Sequence, residues 1–406
     1  MAGWLRWGVA TLGGAALLGL VVTNGIAAGL ATGGDYATAT ALAPDADHLS
    51  HRAQDLFFAG RHDAAIATAR NALRIAPLNT RAIRVIGQAE LARGHDDLGV
   101  DAMNAAARGG WRDNLTQIWT LQMALTGGDY ATAMERADAL IRRNTIADQV
   151  FAAFRAMNAE PGFRRSLIAR LDDQPDWRGL MFLDLRRASA SEIPAAIQLI
   201  ADIDRTRRPV TDLELFPILE RMTELGSADQ AYRFWRGKAP RAGWNGESQL
   251  YDGGFEIAGK RQGVGSIPRF EWTVDPAGSG LASVEAAPNG QGVALRASTD
   301  AGDSAVLATQ QLLLAPGTYR IGARIFARSE RDMAGFEFTL RCVADKTDIP
   351  FADQRLQQLR LDQLRYSATL QVPASCARQT LDIRARGGTP VGASVSITDL
   401  FLRRAA

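Results

Sequence analysis

The chain has too little of several residue types for the commonest catalytic designs. Only two cysteines and four histidines occur in 406 residues, and His48, His51, His62 and His95 all fall in the first quarter. There is no GxSxG elbow, Walker loop, dinucleotide fingerprint or HExxH helix. His48 and His51 are three apart on an expected helix, where they could share a metal. No third ligand stands at a metal-binding spacing, and they read better as solvated helix-start residues. Carboxylates are plentiful, but sequence alone cannot set two of them across a scissile bond. A polysaccharide-modifying enzyme would need such a cleft, so catalysis is not expected. Charge of one sign is also missing. With 46 basic and 44 acidic residues the net charge is +2, which gives no global field for nucleic acid.

One local absence is more telling. No charged residue lies between Arg6 and Asp35, a stretch that would span roughly 40 Å as a helix against about 30 Å of hydrocarbon. Arg6 precedes the run and Asp35 follows it, which orients the N-terminus to the cytoplasm and the remainder outward. Residues 1–34 are therefore expected to be a transmembrane anchor in the bacterial inner membrane, with Trp4 and Trp7 at the interface. The alternative is a cleaved secretory signal, with the short Leu17–Val22 core and Gly29-Leu30-Ala31 as a small-residue cleavage site. Gly25 and Gly29 form a GxxxG pair, although glycine is common in such helices. Either reading exports the rest of the chain. In an oxidising compartment the two cysteines, Cys342 and Cys376, most simply form one disulfide, the other possibility being two buried thiols.

What is present is a repeat. Gly60, Gly94 and Gly128 are 34 residues apart, and each sits where two helices would turn. Ala53, Leu56, Gly60, Ala65, Ala69, Ala72, Leu73 and Pro77 supply the small, apolar, turn and stop positions of the first hairpin. Trp111 and Thr145 stand where the later copies would place the proline. The string GGDYATA at Gly127–Ala133 recurs at Gly33–Ala39, so a truncated repeat is expected directly after the N-terminal segment. These residues resemble the tetratricopeptide repeat, and the resemblance implies a helical solenoid, residues 35–240, that receives a protein partner. Arg142-Arg143, Arg164-Arg165, Arg186-Arg187 and Arg207-Arg208 could form a basic ladder along it. They alternate with aspartates and read better as a solvated surface.

After a linker at 241–249, short alternating runs replace the helical period. Tyr319, Ile321, Ala323 and Ile325 alternate with Arg320, Arg324 and Arg328 as in a half-buried strand, and similar runs at Phe270–Val274, Gly292–Ala297, Phe336–Val343, Tyr366–Val372, Thr380–Ala385 and Val395–Leu402 lead to an expectation of some eight or nine strands. The segments Asp252-Gly253-Gly254-Phe255-Glu256, Phe270-Glu271-Trp272, Ala315–Tyr319 and Val395–Leu400 resemble carbohydrate-binding modules of the galactose-binding-like superfamily. That resemblance implies a jelly-roll sandwich over 250–406. It also implies either a structural calcium held by Glu256 and Asp399 or, at those positions, ordinary hydrogen-bonded acids. Candidate glycan contacts are Arg320, Arg324, Arg328, Arg341 and Arg384, with Trp244 and Tyr251 for stacking; Trp272 shares parity with Phe270 and Val274 and is expected in the core. No other cofactor is expected. The whole reads as a multidomain, membrane-anchored periplasmic adaptor: an N-terminal transmembrane helix, an all-α repeat solenoid for a protein partner, and an all-β sandwich for polysaccharide in cell-envelope or exopolysaccharide assembly. The alternative is a scaffold whose sandwich only packs on the helices.

Overall fold

The computed structural model describes residues 23–244, 248–261, 267–299, 304–327, 330–360, 362–387 and 392–405, without the side chains of 330 and 331. The first 22 residues, and with them most of the expected anchor, lie outside the described residues, as does Arg328. No described helix is long and apolar enough to cross a membrane; residues 23–32 are helical. The chain divides into two compact units, Met1–Trp177 and Arg178–Ala406.

In the first unit, helices α1 (Tyr36–Leu42), α2 (Ala46–Phe58), α3 (His62–Ile75), α4 (Thr80–Ala92), α5 (Asp96–Gly109), α6 (Asn114–Gly127) and α7 (Tyr130–Arg142) form the hairpins, followed by α8 (Ala147–Met157) and α9 (Pro161–Asp172). The helices opening the three full hairpins start at 46, 80 and 114, the same 34-residue period. Their N-caps repeat with it. Asp45, Asn79 and Asp113 accept hydrogen bonds from the backbone amides of His48, Ala82 and Thr116, which satisfies donors that the first turn leaves unpaired. Gly60, Gly94 and Gly128 close the hairpins with φ of 74°, 79° and 74°, in the left-handed region that favours glycine. The crossings are dry and small: Ala53, Ala65, Ala69, Ala72 and Ala82 are completely buried. Upstream, Gly34 (φ 85°) and the N-cap Asp35 precede α1 as Gly128 and Asp129 precede α7.

The second unit begins with helices α10 (Arg178–Asp184), α11 (Ile193–Ile203), α12 (Asp212–Glu224) and α13 (Ala228–Lys238). Gly226 (φ 82°) turns the last pair. These helices group with the sandwich, so the compact units part at Trp177/Arg178, upstream of the composition change on which the 35–240 boundary rested. The reason is a buried connection. Trp235 on α13 donates its indole N–H to Glu271 (3.0 Å) and packs against Tyr251 and Phe270, while Glu220 on α12 takes a bidentate contact from Arg269 (2.7 and 2.9 Å). The expected linker is likewise built in. Trp244 bridges to Tyr251, Ser248 is buried, and Gln249 N–H donates to the Leu402 carbonyl (2.7 Å).

Two antiparallel sheets follow. One has the order β1-β4-β10-β6-β7 and the other β2-β3-β11-β5-β9-β8, with β1 Thr273–Val274, β2 Ala282–Ala286, β3 Val293–Ser298, β4 Ala305–Leu312, β5 Gly317–Ala327, β6 Phe336–Cys342, β7 Asp348–Ile349, β8 Phe351–Arg360, β9 Gln363–Val372, β10 Gln379–Ala385 and β11 Ser394–Arg404. Alternating residues such as Ile321, Ile325, Leu340, Leu381, Ile383 and Ile397 fill the space between the sheets. Cys342 and Cys376 are disulfide-bonded within this core. The expected strand at Phe270–Val274 is shortened, and only Thr273 and Val274 pair with β4; Phe270 and Trp272 are buried as apolar bodies instead. β8 departs furthest from sequence expectation. It is an edge strand with every residue from Ala352 to Arg360 exposed, and it has register shifts between Ala352 and Arg355 and between Gln358 and Arg360.

Candidate functional site

Each unit carries its own opening. On the first, α7 and α9 line a cavity of about 470 Å³ whose wall includes Trp111, Ala131, Glu135, Asp138, Ala139 and Ser166. Small residues keep the floor low, and Trp111 occupies the stop position of its repeat with 43% of its surface exposed. The Arg136 guanidinium lies 3.7 Å over the indole centroid, a cation–π arrangement that holds the ring upright. Asp138 anchors the other wall: it accepts from Trp177 Nε1 (2.7 Å) and pairs with Arg170 (2.7 Å) and Arg142 (3.0 Å). Burial pushes its carboxyl up, but the hydrogen bonds from Arg170 and Trp177 outweigh that and hold it below the usual carboxylate range. Deeper in the unit, buried Arg84 ties the repeats together. It donates to Asp113 (2.6 Å), Gln88 (2.7 Å) and Gln54 (2.6 Å), and burial lowers its pKa.

The histidines do not converge. The His51 ring stacks on Tyr36 with centroids 4.2 Å apart, and His48 Nδ1 lies 3.1 Å from the Ala43 carbonyl. Among the described residues no group of three or more His, Cys, Asp or Glu is arranged to hold a metal.

In the sandwich, the candidate glycan residues separate. Arg320 and Arg324 stand on β5 of the six-stranded sheet, whereas Arg341 and Arg384 stand on β6 and β10 of the five-stranded one. Since the sheets pack face to face, outward residues of the two sheets are on opposite sides, and the strand parity that grouped them could not say which sheet each strand joins. Arg341 pairs with Asp348 (2.7 Å) and Arg384 with Asp382 (3.8 Å), giving the five-stranded sheet a polar outer face that also holds Thr309, bonded to Asp382 (2.6 Å). Tyr251 is removed from the stacking candidates. It is 1% exposed and enclosed by Trp235, Trp244 and Gly243. Trp244 is half-buried beside a cavity that it shares with Arg236 and Arg241, and Arg236 lies 4.9 Å over its ring.

The two acids expected at calcium come from opposite ends of the sandwich sequence. Asp399 pairs with Arg324 (3.1 Å), which supplies the positive charge that a cation would bring, and Glu256 opens the short helix α14 (Glu256–Lys260). Beside it, buried Asp252 accepts from the Ile257 and Ala258 amides (3.1 and 2.7 Å). Burial, with Glu256 adding to it, pushes the Asp252 carboxyl up to about 6.

Sequence reasoning missed a third opening, of about 390 Å³, where β8 stands away from β6. Its floor is Phe336, Phe338 and Tyr366, and its rim carries Glu337, Gln354 and Arg386. The only sequence signal was β8 itself, FADQRLQQLR, which lacks the apolar alternation of a sandwich strand.

Together these features define the class: helical hairpins repeating every 34 residues, joined to an antiparallel two-sheet β-sandwich. No protein-family model matches the chain, and no curated protein matches it. Among solved structures it is similar to TmCBM61, determined with beta-1,4-galactotriose (16% identity, 39% of this chain and 99% of that one, TM-score 0.25). It is also similar to a CBM4 module (16%, 38% and 99%, TM-score 0.27) and to PilW, a type IV pilus biogenesis factor (15%, 50% and 95%, TM-score 0.26).

Proposed function

We propose that the chain is an exported, non-catalytic adaptor, held at the inner membrane by its N-terminal apolar run. In this reading the helical repeats receive a protein partner and the sandwich binds a saccharide, in cell-envelope or exopolysaccharide assembly. The observation that carries it is the Trp111 groove: a concave, small-residue floor with an exposed indole is what a docking side chain or helix needs. The Cys342–Cys376 disulfide supports export. Ala139→Arg would fill the groove from its floor, and it is the variant to test. Wild-type protein crosslinked in the envelope should capture a discrete partner that Ala139→Arg loses while its circular dichroism is unchanged; equal capture by both would overturn the groove assignment. A second reading, a pure interaction scaffold, is favoured by one feature, the packing of Trp235 into the front of the sandwich. Saccharide binding by the purified chain separates the two.

A further inference from the structure

At this edge of the sandwich the short strand β7 packs against β9, and an opening remains where β8 runs past β6. An edge strand covering a core ordinarily turns alternate apolar residues inward. β8 instead borders the seam with Gln354, Arg355 and Leu356, all of them exposed, and its two register shifts interrupt even the pairing with β9. The aromatic side chains beneath line this opening but stay mostly covered, with Phe336, Phe338 and Tyr366 at 3%, 6% and 7% exposed. Phe338 and Tyr366 lie with ring centroids 5.0 Å apart at 30°, the Tyr366 hydroxyl reaches Gln354 (3.4 Å), and burial pushes that phenol up to about 12, so it remains a neutral donor.

We propose that this seam is a saccharide subsite selective for a sugar that carries a carboxylate, a uronate. The inference rests on the reading of the sandwich as a saccharide-binding module and deepens it. An apolar aromatic floor under a polar rim matches a pyranose, which offers C–H bonds on its faces and hydroxyls at its edge. The rim charges decide the class. Glu337 is paired with Arg386 (3.0 Å), whereas Arg355, also on the rim, forms no ion pair among the described residues. One guanidinium is thus left over at the mouth, and a planar fork of this kind is suited to a carboxylate in bidentate contact. The cavity of about 390 Å³ is at the small end of ligand pockets, which fits one or two sugar rings rather than a long chain.

The test is calorimetric titration of the full chain with trigalacturonate and with beta-1,4-galactotriose. Two variants change exposed residues of β8: Arg355→Gln removes the spare charge, and Leu356→Trp blocks the mouth. Trigalacturonate should bind the wild type at least 10-fold more tightly than galactotriose, Arg355→Gln should remove that preference, and Leu356→Trp should abolish binding, with melting midpoints unchanged. Equal affinity for the two sugars overturns the carboxylate assignment. Binding that survives both β8 variants but is lost in Arg341→Ala or Arg384→Ala overturns the seam as the site and leaves the saccharide reading standing, on the outer face of the five-stranded sheet. Failure of both sugars to bind overturns the subsite and the saccharide reading together.

Discussion

The two compact units solve the burial problem in opposite ways. The first packs small residues at short range: alanines at helix crossings, caps and turn glycines that recur every 34 residues, and contacts between neighbouring hairpins. The second packs large residues at long range. Trp235 and Trp272 are fully buried, β11 pairs with both β3 and β5, and Ser248 near the start of the sandwich accepts from the Leu402 amide near its end. Near-neighbour packing makes stability a sum over repeats, whereas closing distant strands costs loop entropy before any contact rewards it. A lesion in the first unit should therefore stay local and one in the second should spread through it.

The largest expected effect is that of Trp235→Ala, which empties a fully buried site and deprives Glu271 of a donor. Loss of a buried tryptophan costs about 3–5 kcal/mol. In guanidinium denaturation the transition of the second unit should move and that of the first stay; equal movement of both would break the contrast drawn above.

Next comes removal of the disulfide by Cys342→Ser together with Cys376→Ser. The cysteines are 34 residues apart, and a closure of that length contributes about 3–4 kcal/mol in the loop-entropy account. Calorimetry should show the second unit melting earlier, and an unchanged midpoint would mean that the unfolded sandwich is constrained by something else.

The third effect depends on pH. The Asp252 carboxyl is pushed by burial from the ordinary aspartate value of 3.8 up to about 6 in the fold. A carboxyl whose folded pKa is raised favours the fold when protonated, so its contribution is complete below about pH 4 and is lost as pH rises through about 6. At about 1.4 kcal/mol per pKa unit this is up to about 3 kcal/mol. Asp252→Asn should remove that part of the second unit's pH slope, and parallel slopes in variant and wild type would contradict it.

Smallest is Gly60→Val. A Cβ there meets nothing within 4 Å, so the penalty is conformational: φ is +74°, and a β-branched residue in that region costs about 1–3 kcal/mol. Thermal melts followed by circular dichroism should show loss confined to the repeat unit, and a wild-type melt would remove the left-handed turn from the account.

The unequal legibility of the units follows from the same contrast. Helix starts at 46, 80 and 114 and turns at 60, 94 and 128 were readable because each depends on residues within one hairpin. Trp272 was expected in the core from its parity with Phe270 and Val274 and is buried there, although only Thr273 and Val274 pair as a strand and Glu271 between them is buried as well. Tyr251 was misassigned because nothing near it in sequence announces that Trp235 covers it, and the arginines were grouped as one face because parity does not reveal sheet membership. The seam beneath β8 escaped notice because it exists only where two distant strands fail to meet.

By itself, then, the sequence determined the helical repeat, the alternating strands and the availability of a single cysteine pair, since these follow from local periodicity and composition. Tertiary structure alone decided that the helices from Arg178 onward group with the sandwich, that Arg324 answers Asp399, and that an aromatic floor opens beneath β8, because each depends on which distant surfaces are brought together when apolar area is buried.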